Sequence, residues 1–280
     1  MGALLLAGTL SAQTPVPEWQ AGVDKMKSLI QTNPAQASEE VGELLKGKNK
    51  KNVDLVTSVA HVYLDAGKLT EAQEYLAMAK KADNKDPKVS VLEGDIALAQ
   101  KNIGQACQLY EQAIYFDPNC KEAYLKYAQA YKSASPALAI EKLEQLKAVD
   151  PNCLEADREL AEVYYSSNRF GKAAEMYAKF IDTPLATEDD MLKYAFALFL
   201  NHDFEKSLQV AQKGLQKNAR HAAFNRLVMY NNTDLKRYED AEKAAHAFFN
   251  ASDRADYSYL DYRYYGALLS ALKKYDEAII

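Results

Sequence analysis

Apolar residues along this chain recur at the spacing of an α-helix, in pairs of runs separated by short polar breaks. Tyr124, Tyr127, Ala128 and Tyr131 fall at i, i+3, i+4 and i+7, one face of a helix, and Ala139, Leu143 and Leu146 do the same for the next. Between them, Lys132-Ser-Ala-Ser-Pro136 supplies the breakers that a helical hairpin needs. Asp117-Pro118-Asn119 and Asp150-Pro151-Asn152 end one such hairpin and open the next, because proline cannot continue a helix and Asp or Asn caps a new one.

The hairpins repeat. A small residue with a larger or small apolar partner four places on occurs at Ala72, Ala106, Ala139, Ala173, Ser207, Ala241 and, without the partner, Ala278; successive spacings are 34, 33, 34, 34, 34 and 37 residues. A second series, Ala60, Gly94, Ala128, Ala161, Ala195, Met229 and Gly266, has the spacings 34, 34, 33, 34, 34 and 37. Small residues recur where paired helices cross, since the interaxial distance depends on the side chains at the contact. One period in two series defines a repeat architecture.

These units resemble tetratricopeptide repeats, whose pattern is W-x-x-L-G-x-x-Y in a first helix, A-x-x-x-F-x-x-A in a second, then P. One unit supplies Ser90, Glu93, Gly94, Ala106, Tyr110, Ala113 and Pro118. The next supplies Tyr124, Tyr127, Ala128, Tyr131, Ala139, Leu143, Leu146 and Pro151, and another Leu160, Ala161, Tyr164, Ala173, Tyr177 and Phe180. No unit has Trp in its first helix, and Asn232 stands where Tyr is usual. The resemblance implies an all-α, right-handed solenoid of antiparallel helix pairs over residues 53–280, in units of about 53–86, 87–120, 121–153, 154–187, 188–221, 222–258 and a truncated 259–280. A degenerate helical repeat at 19–52 precedes them, Ser38 lying 34 residues before Ala72.

Composition agrees with helices. Of 280 residues 44 are alanine, the best helix former, and glycine and proline together number only 19. Net charge is −5 and the pI near 5.5, which speaks against nucleic acid as a partner because phosphate binding needs a basic face. The one basic cluster, Lys46, Lys48, Lys50 and Lys51, reads as a solvated loop. No apolar run reaches the 18 residues of a membrane span.

The first twelve residues, Met1 to Ala12, form an apolar stretch with small residues before Gln13, the pattern of a signal-peptide core, and 13–18 read as a linker. No Lys or Arg precedes the stretch, so a basic segment upstream of Met1 is expected, and Tyr275 to Ile280 stop in mid-pattern. The expected location is therefore exported, periplasmic or secreted.

Catalytic signatures are missing: there is no H-E-x-x-H, C-x-x-C or G-x-S-x-G. His61, His202, His221 and His246 are scattered. Gly42-Glu-Leu-Leu-Lys-Gly47-Lys48-Asn49 lacks the final Ser or Thr of a phosphate loop and follows a helical pattern rather than a strand. Neither an enzyme activity nor a cofactor or metal is expected. Cys120 and Cys153 occupy equivalent turns of adjacent units, at least one helix-packing distance apart, about 8–10 Å, beyond usual disulfide reach. Three thiols with no disulfide are expected, Cys107 being the third.

In a stacked array the first helix of each pair lines the concave side. Two rows of first-helix positions should face it: His61, Asp95, Gln129, Glu162, Phe196 and Tyr230, and Thr57, Val91, Leu125, Arg158, Leu192, Arg226 and Arg263. Arg158, Arg226 and Arg263 among Tyr165, Phe196, Phe199 and Tyr230 suggest a groove for an extended or helical protein segment, with arginine forks for carboxylates and aromatics for apolar anchors. The expected function is a non-enzymatic scaffold for protein or peptide partners. A glycan- or small-ligand-binding module, with sugars stacked on tyrosines, or an accessory part of a larger enzyme or assembly, is the alternative.

Overall fold

In a computed structural model, which describes residues 16–252 and 256–278, the helices follow the sequence period. The segment read as a signal-peptide core lies outside the described residues. Two compact units divide the chain, residues 1–120 and 121–280.

The first unit holds α1 (Gln20–Leu29), α2 (Pro34–Leu44), a short 3-10 turn (Gly47–Lys51), α3 (Val53–Asp65), α4 (Leu69–Ala82), α5 (Pro87–Ala99) and α6 (Ile103–Phe116). The second holds α7 (Lys121–Tyr131), α8 (Pro136–Val149), α9 (Leu154–Ser166), α10 (Phe170–Phe180), α11 (Glu188–Leu200), α12 (Phe204–Lys217), α13 (Ala222–Asp234), α14 (Tyr238–Ala251) and α15 (Tyr259–Ala271). No strand occurs among the described residues. Consecutive helices pack as hairpins, α1 on α2 through α13 on α14, and within each unit a first helix also packs on the next first helix, as α3 on α5 and α11 on α13. The architecture is all-α, built from antiparallel helix pairs.

The hairpin turns share one local solution. Gly67, Lys101, Asn168, His202 and Lys236, each two residues before the start of a second helix, and Lys273, two residues after α15, have φ between 57° and 74°. The following amide then donates back to a carbonyl of the first helix five residues earlier, Lys68 to Tyr63, Asn102 to Ala97, Arg169 to Tyr164 and Arg237 to Asn232 among them. A left-handed residue closes a helix in this way by satisfying its last carbonyls. Only one of the six is glycine, so the other five hold a conformation that is uncommon for side chains with a Cβ. The α7 to α8 turn instead ends on Ser135 and Pro136, the proline at the first position of α8, where its missing N–H costs nothing.

Helix crossings sit on the periodic small residues. Ala60, Ala72, Ala106, Ala128, Ala139, Ala161, Ala173, Ala195, Ala211 and Ala241 are fully buried. At Gly94 a Cβ would fall 2.5 Å from Tyr110 Cε1, and at Gly214 2.4 Å from Phe224 Cε2, so each ring occupies the space a side chain would take. Between the crossings, Met26, Leu55 and Leu92 fill the first unit, and Tyr177, Phe180, Phe224, Tyr230 and Phe248 the second. Gly266 has the register of Gly94 but open space around it, and a cleft of about 380 Å³ there is lined by Phe249, Tyr257, Tyr262, Tyr265 and Leu269.

Cys107 and Cys153 are buried, Cys120 is half-buried, and all three carry thiols rather than disulfides. Burial pushes the Cys153 thiol above its ordinary range. No helix among the described residues is long and apolar enough to cross a membrane.

Candidate functional site

The first helices of the second unit, α9, α11, α13 and α15, carry the residues expected to grip a partner. Their surroundings divide these residues into two groups.

Arg158 and Arg226 already hold carboxylates, and those belong to the next repeat. Arg158 donates through Nε to Asp190 Oδ1 at 3.0 Å, with Nη2 3.0 Å from Oδ2, a two-point pairing of guanidinium and carboxylate. Asp190 is 1% exposed and is also the third residue of α11, where its Oδ2 accepts from the Thr187 backbone N–H at 2.8 Å and the Thr187 hydroxyl at 2.6 Å. Thr187 in turn accepts from the Asp190 amide, completing a capping box. The same assembly recurs at α15. Asp261, fully buried, caps Ser258 and accepts from the Tyr230 hydroxyl at 2.6 Å. Arg226 Nε lies 2.8 Å from Asp261 Oδ1, with its N–H off the hydrogen-bond axis. Arg226 Nη2 donates to the Asp256 carbonyl at 2.7 Å, and its guanidinium sits 4.7 Å from the centre of the Phe248 ring. One carboxylate thus caps a helix start, pairs with an arginine on the preceding first helix and, in α15, accepts from a buried tyrosine.

The expectation that Arg158 and Arg226 are open forks is therefore corrected: each guanidinium is paired with a carboxylate of the next repeat, with 34% and 26% of the side chain left exposed. Phe199 and Tyr230 are corrected as well. They are 6% and 1% exposed, because Phe199 meets Phe204, Tyr230 and Tyr264, and Tyr230 stacks on Tyr264 with ring centres 4.3 Å apart. Three expected residues keep solvent access. Tyr165 is half-buried with its edge toward Phe170, Phe196 is half-buried beside Phe199, and Arg263 is exposed with its guanidinium 5.5 Å from the Tyr264 ring centre.

A second polar pattern runs along the row that contains Asp95 and Glu162. Tyr177 of α10 donates its hydroxyl to Glu162 Oε1 at 2.7 Å, and Lys193 of α11 reaches the same carboxylate at 2.9 and 3.0 Å. In the first unit Tyr110 donates to Asp95 Oδ1 at 2.7 Å, while His61 Nε2 lies 2.9 Å from Asp95 Oδ2. The carboxylate of a first helix is thereby bound by the tyrosine of its own second helix and by a neighbouring first helix. Spacing placed Asp95 and Glu162 in a row expected to face the concave side but did not single out Asp190 or Asp261, although Thr187-x-x-Asp190 and Ser258-x-x-Asp261 are legible as helix starts.

These contacts make the tyrosines sensitive to alkali. Burial, reinforced by the Glu162 and Asp261 carboxylates that accept their hydroxyls, holds the Tyr177 and Tyr230 phenols far above the ordinary value of 10. A phenol with a raised folded-state pKa binds its proton more tightly in the fold, so its contribution is intact below pH 10 and is lost as pH rises through the folded value. The guanidinium midpoint is expected to stay level up to about pH 9 and to fall above about pH 10. Tyr177→Phe should flatten that fall, as read by circular dichroism alongside phenolate absorbance.

No group of three or more His, Cys, Asp or Glu side chains that could hold a metal occurs among the described residues.

No family model matches this chain, and no curated protein matches it. Solved structures do. The C-terminal part of a TPR repeat-containing protein from Cytophaga hutchinsonii superposes with a TM-score of 0.62 at 18% identity, covering 83% of this chain and 97% of its own. PilF of Pseudomonas aeruginosa gives 0.60 at 16% identity, covering 79% and 99%. A tetratricopeptide repeat protein from Parabacteroides merdae gives 0.51 at 14% identity, covering 91% and 98%. At these identities the likeness speaks for architecture, and the chain has the tetratricopeptide-repeat fold.

Proposed function

We propose that this protein is a non-enzymatic scaffold that binds a segment of another protein on the first-helix face of its second unit. The observation that carries the reading is the division just described. Arg158 and Arg226 knit repeat to repeat, while Tyr165, Phe196 and Arg263 present two half-buried aromatics and an exposed cation on the same set of helices. Half-buried aromatics held by their neighbours lose little entropy on binding, and aromatic and arginine side chains dominate interface energetics. A glycan platform would ask for exposed coplanar tyrosines. Tyr262, an exposed tyrosine of α15, meets Tyr257 at 75° and offers no such plane. The apolar stretch at 1–12 supports a scaffold that works outside the cytoplasm.

The test is affinity capture from an extract of the source cell with wild type and with Tyr165→Ala/Phe196→Ala/Arg263→Glu, helicity being checked on both. The expected result is loss of at least one wild-type partner from the triple variant, since interface anchors cost about 2 kcal/mol or more when truncated. Retention of every partner would place binding elsewhere on the molecule.

A further inference from the structure

The lysine-rich turn expected to be merely solvated is part of a cleft. In the first unit the 3-10 turn Gly47–Lys51 lies against α4, and Lys50 and Lys51 meet Lys81 around a concavity of about 570 Å³ floored by Ala77, Met78 and Ala82. Positions 77, 78, 81 and 82 form one stripe of α4, so the apolar floor and its cation share a face.

The surrounding charges leave these lysines unneutralised. Lys46 is bound by Glu43, Lys80 by Glu93 and Lys88 by Asp54. Among the described residues, Lys50, Lys51 and Lys81 have no ion pair or hydrogen bond through their ammonium groups, and neither does Lys48 on the same turn. Three cations thus line the cleft, with Lys48 on the adjoining turn, on a chain whose net charge is −5. Like charges brought together repel, and an anionic occupant relieves that repulsion.

We infer that this cleft docks an acidic partner segment bearing an apolar anchor, its carboxylates on the lysine rim and the anchor on Ala77 and Met78. Charge complementarity selects the acidic segment. The concave shape selects a side chain over a flat bilayer, since a cleft of this size encloses a small group rather than resting on a surface. Methionine adapts its shape to the group placed on it. Lysines act as point charges without a fork, so recognition follows charge rather than fixed geometry and weakens with salt. The cleft lies on a second helix and in the first unit, and so is a different surface from the one proposed above.

The experiment is fluorescence anisotropy with the full-length protein and a fluorescein-labelled hexapeptide of four glutamates around two central leucines. Saturable binding is expected, weakening several-fold between about 50 and 300 mM salt. Lys50→Glu/Lys51→Glu/Lys81→Glu should lower affinity at least about tenfold with unchanged helicity, these side chains being exposed. Met78→Ser should weaken binding while keeping the salt dependence, and a peptide with serines for leucines should bind less well. Equal binding by the triple lysine variant overturns the inference. So does binding to phosphatidylglycerol vesicles or inorganic phosphate with none to the peptide, which would assign the lysines to an anionic surface or a small anion.

Discussion

Asp261→Ala is expected to destabilise the second unit by about 3–5 kcal/mol, the range for removing one partner of a buried ion pair. The side chain is fully buried and makes several contacts at once. It accepts from the Ser258 backbone at 2.6 Å, from the Ser258 hydroxyl at 2.8 Å and from the Tyr230 hydroxyl at 2.6 Å, and it lies 2.8 Å from Arg226 Nε. Alanine would remove the cap of α15, strand a tyrosine hydroxyl that water cannot reach and leave a guanidinium without its counter-charge. The Arg226 side chain keeps 26% exposure, which lets water compensate in part and places the loss toward the lower end of the range. Asp261→Asn retains an acceptor without the charge and should fall between. Because repeat arrays unfold in neighbouring units rather than all at once, the measurement is guanidinium unfolding combined with hydrogen exchange of α13 and α15. Asp240→Ala, which breaks an exposed pair with Lys243, should cost no more than about 1 kcal/mol. A loss that small for Asp261→Ala would show that the carboxylate does not hold the α13 to α15 junction.

Phe224→Ala is expected to cost about 3–5 kcal/mol, as for other large aromatic deletions in a core, and Gly214→Ala should return part of it. The Phe224 ring is fully buried and lies where a Cβ on Gly214 would be, 2.4 Å from Cε2 and 2.5 Å from Cζ. Gly214→Ala alone therefore overpacks a crossing that cannot yield, at about 1–3 kcal/mol, although alanine is the better helix former by about 1 kcal/mol. When the ring is gone the new methyl enters space already empty. The double variant should be more stable than the sum of the single effects by at least about 1 kcal/mol. Strict additivity would mean that α12 and α13 do not meet at this point.

The repeat was legible because its signals are local. Alanines at a spacing of 33 or 34 residues, prolines at unit ends and Asn or Asp before helix starts each act within a few residues, and the helices follow them. The left-handed turn residues were less legible. Lys101, His202 and Lys236 give no sign of a positive φ, and the conformation is imposed by the hairpin that the helices form on either side. The candidate site was the hardest to read, because a row of residues on a helix face does not say what stands opposite. An arginine at 158 or 226 is equally suited to a partner's carboxylate and to one 32 or 35 residues ahead in its own chain. The capping motifs at Thr187 and Ser258 show where Asp190 and Asp261 sit, yet not that the preceding first helix delivers a guanidinium to them. For Phe199 and Tyr230, burial depends on the bulk of Phe204 and Tyr264 across the crossing, which is a tertiary property. The lysines at 48, 50 and 51 are conspicuous in sequence, but only the approach of α4 supplies Lys81 and the floor that make them a cleft.

The central claim is that the first-helix arginines join one repeat to the next instead of waiting for a partner. A double-mutant cycle on Arg158 and Asp190, with Arg158→Met, Asp190→Asn and the pair together, measures it by guanidinium unfolding. The predicted result is a coupling of about 1–3 kcal/mol, in keeping with a two-point ion pair whose carboxylate is 1% exposed. Additivity to within about 0.3–0.5 kcal/mol would contradict it, returning Arg158 to the solvent and to the pool of residues available to a ligand.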